Sequence, residues 1–241
     1  MAALPRFDPR TIPIERVDHD LPPVPRHDLQ APAIARRFAQ PPLWEPELRR
    51  EPRMTDRAPA PAAVLVPLVL REGLPSVLLT ERAGHLRTHS GQIAFPGGRV
   101  DAEDPSIRHA ALREAQEEIG LAPEHVQVLG ELPVYVTGTA FQVTPVVALV
   151  SPAMALQPNP DEVADVFEVP LDFLMNPAHH RWHAFEWEGQ SRRWCSMPYL
   201  QPRNGPAGEG DNVERFIWGA TAGMLRNLYR FLISPLPTAL P

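Results

Sequence analysis

Two hydrophobic regimes divide the chain. Through residue 58, apolar positions are scattered among proline, arginine and aspartate, and no period of two or 3.6 persists long enough to specify a large core. Twelve prolines before residue 60 argue against long helices or central strands there. One short helix is predicted around 33–38, with Leu43, Trp44 and Leu48 as docking contacts. The remainder reads as an extended arm lying on the domain or on a partner subunit, with disorder of its first part as the alternative.

From residue 62 the character changes. Residues 63–70 and 76–80 are apolar and β-branched and are separated by Arg71-Glu72-Gly73-Leu74-Pro75, which predicts a hairpin. Residues 92–95 follow as a short strand, then Pro96-Gly97-Gly98. Asp104-Pro105 opens a helix, with Asp as its cap and Pro in its first turn, running to about Ile119 and stopped by Gly120. Further strands are predicted at 126–132, 134–137 and 143–150, while 162–168 is ambiguous by pattern. Residues 171–175 form one helical turn closed by Asn176-Pro177. Residues 182–187 and 191–196 pair as a hairpin around Glu188-Gly189-Gln190, and 212–232 reads as one long helix whose buried face carries Phe216, Ile217, Ala220, Met224, Leu228 and Phe231. Strands, helix, strands and helix in that order predict an α/β fold with a mixed sheet between helices.

Composition narrows the function. At 241 residues there is room for one well-buried domain plus extensions. The longest apolar run, 62–70, is too short to cross a bilayer and contains Pro67, so no membrane role is expected. The first residues lack the apolar centre of a secretion signal, and a cytoplasmic protein is expected. The single cysteine, Cys195, excludes an internal disulfide and a cysteine-based zinc site, and it reads as an ordinary buried or semi-buried thiol. Every basic residue other than histidine is arginine, which excludes a lysine Schiff base and a phosphate-loop lysine. A net charge of -6 argues against a general nucleic-acid surface, so an anionic substrate would need local arginines or metal ions.

Such a place is suggested by Arg113-Glu114-Ala115-Gln116-Glu117-Glu118-Ile119-Gly120-Leu121. At 3.6 residues per turn Glu114, Glu117 and Glu118 share one side of a helix, where their charges repel unless a hard cation sits among them. Three acids alone describe a solvated face equally well. The wider context favours chemistry. Residues 98–121 resemble the Nudix box, G-x5-E-x7-R-E-U-x-E-E-x-G-U with U aliphatic. The second half fits if Ala115 serves as the aliphatic. The first half is one residue too long between Gly98 and Arg113, and its glutamate is replaced by one of Asp101, Glu103 or Asp104. A longer box is similar to the coenzyme A pyrophosphatase branch, whose L-L-T-x-R-S-x3-R-x3-G-x3-F-P-G-G is matched from Leu78 to Gly98 except for Ala83 in place of Ser.

The resemblance implies a Nudix-type α/β/α sandwich over residues 59–235, with a proline-rich arm at 1–58 and a tail at 236–241. It implies Mg2+ or Mn2+ held by Glu114, Glu117, Glu118 and the carbonyl of Gly97, with one glutamate orienting or deprotonating the attacking water. Glu162 is the candidate for a further acid reaching the metal centre from a loop. Arg113 orients the glutamates. Arg82 and Arg87, in the loop leading into the site, are candidates for substrate phosphate contacts because a planar guanidinium suits phosphate oxygens; surface ion pairing is the competing role. His89 either binds substrate or supports the loop. The aromatics of 182–194 either stack on adenine or pack. The implied reaction is hydrolysis of coenzyme A or acyl-CoA to 4'-phosphopantetheine and adenosine 3',5'-bisphosphate. Rival readings are another diphosphate (ADP-ribose, NADH, a dinucleoside polyphosphate) and a non-catalytic nucleotide-binding module. A homodimer is allowed by analogy.

Overall fold

The computed structural model describes residues 8–85, 91–187, 190–202 and 212–236. Along them the chain forms β1 (Ile14–Val17), α1 (Ala31–Ala39), β2 (Ala60–Val69), β3 (Ser76–Arg82), β4 (Ile93–Ala94), β5 (Gly97–Arg99) and α2 (Ile107–Ile119). It continues through β6 (Val126–Glu131), β7 (Tyr135–Val136), β8 (Phe141–Val150), β9 (Val163–Pro170) and α3 (Leu171–Leu174). The last elements are β10 (Arg181–Trp187), β11 (Gln190–Gln201), β12 (Val213–Trp218) and α4 (Gly219–Ile233). Among the described residues, no helix is long and apolar enough to cross a membrane.

The centre is the parallel pair β2–β8, in register from Ala60↔Phe141 to Val69↔Val150. Both strands are nearly continuous apolar runs because a parallel pair is covered on both faces. β3 pairs with β2 only at Leu68↔Val77 and Val69↔Ser76, then diverges to pair along its length with β9. β5 takes the vacated edge of β2, opposite Ala62, Ala63 and Val64. The predicted hairpin therefore exists but is splayed, and the gap admits Gly97 and Gly98.

On one face of this mixed sheet, α2 packs Ala110, Ala111, Ala115 and Ile119 onto Ala63, Leu65, Val146 and Ala148. Alanines let the helix axis approach the sheet closely, which sets the depth of the glutamates that follow. The opposite face is covered by α4 and α1, with Leu225, Leu228, Phe231 and Ile34 joining Val66, Leu68 and Val147 in one core. The result is the expected α/β/α sandwich. To it is added a four-stranded antiparallel sheet, in the order β1-β10-β11-β12.

Several expectations are corrected. Residues 213–218 are a strand, because the free edge of β11 pairs with them from Gln201↔Val213 to Ser196↔Trp218. The helix begins only at Gly219, whose φ of +61° breaks the extended run. The cap of α2 is Ser106, whose hydroxyl accepts the His109 N–H at 3.1 Å, and Asp104 is engaged elsewhere. Leu43 is 98% exposed, whereas Trp44 and Leu48 pack on the core as anticipated. Residues 163–170, ambiguous by pattern, are the strand β9. The arm also supplies β1 to a sheet edge, which proline content concealed. Cys195 is buried, and burial pushes its thiol up to about 12.

The arm is tied down by Arg226 of α4, which is only 1% exposed. Its guanidinium pairs with Asp18 at 3.0 Å and with both carboxylate oxygens of Glu47 at 2.8 and 3.2 Å. It also donates to Nδ1 of His180 at 2.9 Å, while Nε2 of His180 donates to the Leu174 carbonyl at 2.8 Å. Both ring nitrogens are thus committed to the neutral tautomer, and burial lowers the imidazole to about 4.

Two outcomes are expected. Arg226→Met strands two partly desolvated acids and should lower the unfolding free energy by about 3–5 kcal/mol in urea titration, part of it recovered by adding Asp18→Asn and Glu47→Gln. For His180 the unfolded chain takes up the proton first, so stability present above pH ~6.5 should fall by about 3 kcal/mol as pH drops towards 4. His180→Gln should flatten that limb of the stability–pH curve; an unchanged limb would refute the assignment.

Candidate active site

Local sequence places the carboxylates. α2 ends where Gly120 turns left-handed at φ +68°, and its N–H closes back onto the carbonyls of Ala115 and Gln116. The loop after β8 is clipped to this end, since the Gln157 and Asn159 N–H groups donate to the carbonyls of Ile119 and Glu118. That loop delivers Glu162, whose carboxylate accepts from Asn159 at 3.3 Å and whose carbonyl accepts the Ala83 N–H at 2.8 Å.

Glu118 is the buried member of the trio, at 5% exposure. Its carboxylate accepts the Gly97 N–H at 3.0 Å and lies 3.8 Å from the Arg82 guanidinium. Burial pushes it up to about 7, with Glu114 and Glu162 adding repulsion and the Gly97 N–H and Arg82 working against the shift. Glu114, also largely covered, is raised by burial and partly held down by Arg113. Glu117 is exposed and bonds to Arg113 at 2.9 Å.

Two glycines make this packing possible. A Cβ on Gly97, at φ +155°, would fall 2.4 Å from the Ala63 carbonyl oxygen, and one on Gly98 would fall 2.5 Å from the Glu114 carboxylate. In the structure Gly97 meets Glu118 through its N–H.

Arg113 is the hub of the acids. It holds Asp104 by two hydrogen bonds, at 3.0 and 2.9 Å, and reaches Glu114 at 3.1 Å, Glu117 and the Arg99 carbonyl. Of the three candidates for the first box acid, Asp104 is the one that Arg113 holds by hydrogen bonds. Asp104 sits six residues after Gly98 and is almost wholly covered, while Asp101 is exposed at 3.5 Å and Glu103 is exposed. Hydrogen bonds from Arg113, then from the Asp101 N–H and His109, hold the Asp104 carboxyl well below the usual carboxylate range. The extra residue lies between Asp104 and Arg113, where the turn through Pro105 and Ser106 absorbs it.

Among the described residues, no three acid, histidine or cysteine side chains already converge as a closed cation cage. Arg113 draws Glu114 and Glu117 to one side and Gly97 draws Glu118 to the other. The donor set nonetheless suits a hard divalent cation: it is all oxygen, crowded with negative charge, and includes a covered carboxyl that resists ionising alone. Arg87 and His89 lie outside the described residues.

Glu118, Gly97, Gly98 and Arg82 line a cleft of about 730 Å3. Its lining also includes Phe185, Arg192, Trp194 and Trp218 of the second sheet, with Met54 and Arg57 of the arm. Trp194 thus lines the cleft while Trp182 belongs to the core. The sequence does not single out Arg192, Met54 or Arg57: the alternation of β11 is the one signal for Arg192 and cannot be oriented without knowing which face is covered, and the arm residues carry no periodic signal.

The family model for the NUDIX domain matches residues 59–209. A Citrobacter koseri protein named uncharacterized Nudix hydrolase NudL is 44% identical over 168 residues, which cover 69% of this chain and 80% of its own. Its Enterobacter namesake is 40% identical over 203 residues, or 84% and 94% of the two chains. Among solved structures, the M. smegmatis Nudix hydrolase RenU shares 28% identity across 48% of this chain and 73% of its own, with a TM-score of 0.42. With a family model spanning more than half its length and relatives this similar across most of theirs, the chain belongs to the Nudix hydrolase family.

Proposed function

We propose that this Nudix hydrolase is a pyrophosphatase acting on coenzyme A or acyl-CoA, releasing 4'-phosphopantetheine and adenosine 3',5'-bisphosphate. The observation that carries the reading is that Arg82 at the end of β3, the two glycines and Glu118 of α2 line a single cleft, with Glu118 accepting the Gly97 N–H and lying 3.8 Å from Arg82. About 300–1,000 Å3 is usual for small-molecule sites, so this cleft is large enough for an extended nucleotide.

Glu114, Glu117 and Glu118, with the Gly97 carbonyl, are the groups that would hold Mg2+ or Mn2+. When bound, such a cation offsets phosphate charge and lowers the pKa of water. The chain's own residues supply the rest. Arg113 and Asp104 fix the helix-borne acids, and the missing side chain of Gly98 leaves the Glu114 carboxylate its place. Arg82 offers a guanidinium to the diphosphate oxygens, beside the acid that otherwise attracts it. Glu162, held by Asn159, stands on the loop side as a further acid within electrostatic reach of Glu118. Water's oxygen ends on one phosphorus while the bridging oxygen departs with the other phosphate, so no further reactant is required.

The decisive experiment incubates the protein with Mg2+ or Mn2+ and a diphosphate panel, with products separated chromatographically. Coenzyme A or an acyl-CoA should be turned over fastest; preference for ADP-ribose would overturn the substrate assignment, and absence of any turnover would favour a binding module. Glu117→Gln should cut kcat by about 100-fold or more with an unchanged melting temperature, because its side chain is exposed and supports no core contact. Gly98→Ala should lower activity strongly by pushing Glu114 aside, and the Glu114→Ala, Gly98→Ala double variant should lose little beyond Glu114→Ala alone.

A further inference from the structure

Four arginines are almost wholly buried in the described residues: Arg37, Arg192, Arg215 and Arg226. Three are satisfied internally. Arg37 donates to the Phe231 and Ser234 carbonyls, Arg215 to Glu81, Asp165 and Gln201, and Arg226 to Asp18, Glu47 and His180. Arg192 differs. It is 6% exposed, yet its Nε and Nη1 have no hydrogen-bond partner, and no carboxylate lies within ion-pairing distance among the described residues. A covered guanidinium with unmet donors costs several kcal/mol, and such a cost is tolerated where a ligand supplies the counter-charge.

The fold directs this group to the cleft. Antiparallel pairing sets Phe185 opposite Arg192 and His183 opposite Trp194, and residues two apart share a face. Trp182, Cys195, Met197 and Ile217, on the other face of the same sheet, join the core. Arg192 therefore stands on the cleft side, with Phe185, Trp194 and Trp218 around it as a low-dielectric wall. Arg82 also lines the cleft, 3.8 Å from Glu118, and leaves a single buried nitrogen, Nε, without a partner, where Arg192 leaves two.

We propose that Arg192 is a specificity-determining residue that binds a second, non-scissile phosphate group of the substrate. The identification rests on the nucleotide-diphosphate reading above, in which the favoured substrate carries a phosphomonoester on its ribose. A planar guanidinium in an apolar surround is well matched to a phosphate dianion. In this division of work Arg82, beside Glu118, faces the scissile diphosphate and Arg192 takes the second phosphate.

The test uses metal-free protein in a chelator and measures equilibrium binding of adenosine 3',5'-bisphosphate and adenosine 5'-monophosphate by calorimetry. The native protein should prefer the bisphosphate by about tenfold or more, and Arg192→Gln should erase the preference while leaving monophosphate affinity unchanged. Arg192→Lys should retain part of it. Because Arg192 has no internal partner, both variants should melt no lower than the native protein. An equal preference in Arg192→Gln, no preference in the native protein, or marked destabilisation of both variants would overturn the proposal. The two readings fail separately: a preference that depends on Arg192 in a protein hydrolysing no diphosphate sinks only the proposed function. Turnover without that preference sinks only the subsite.

Discussion

The site depends on one steric constraint, the passage of Gly97 and Gly98 between β2 and α2. Neither position has space for a Cβ: the first presses on the Ala63 carbonyl and Val64, the second on the Glu114 carboxylate. This approach is possible only because β3 leaves β2 after two residue pairs and β5 takes its place. It brings the Gly97 N–H onto Glu118 and so buries one acid of the trio. The alanine face of α2 has the same effect from the other side, since larger residues at 110, 111 and 115 would lift the helix and its glutamates away from the sheet.

Charge is organised around two arginines with different duties. Arg113 gathers Asp104, Glu114 and Glu117 at the surface of the site. Arg226 gathers acids in the interior, and joins the arm to α4 by an interaction that is costly to break from either side. Because the arm also supplies β1 and part of the cleft wall, this interior knot is continuous with the substrate-facing surface. Arg192 belongs to neither pattern, and its unmet donors are what mark it.

Legibility in the sequence followed the range of the interactions concerned. Helix α2, its glycine stop and its three glutamates are local features, readable from i, i+3 and i+4 spacing. β2 and β8 were visible as apolar runs of strand length. The strand β12 was misread as helix because Phe216 and Ile217 continue the apolar face of α4 in projection, and only the edge of β11, contributed by residues 190–201, decides otherwise. Asp104 was misread as a cap for a related reason: Asp-Pro is a good local helix start, but Arg113, nine residues away, competes for the carboxylate and leaves Ser106 to do the capping.

The sequence by itself determined the family resemblance, the layered α/β class, the acid-bearing helix and the arginine that ends β3, because each is written in short-range spacing. Tertiary structure alone decided which acid Arg113 holds, how the arm is anchored, which residues line the cleft and which almost wholly buried arginine is left without a partner among the described residues. Those outcomes depend on burial and on pairings between distant segments, such as Asp18 with Arg226 or β11 with β12, and no local pattern encodes which face of a strand will be covered.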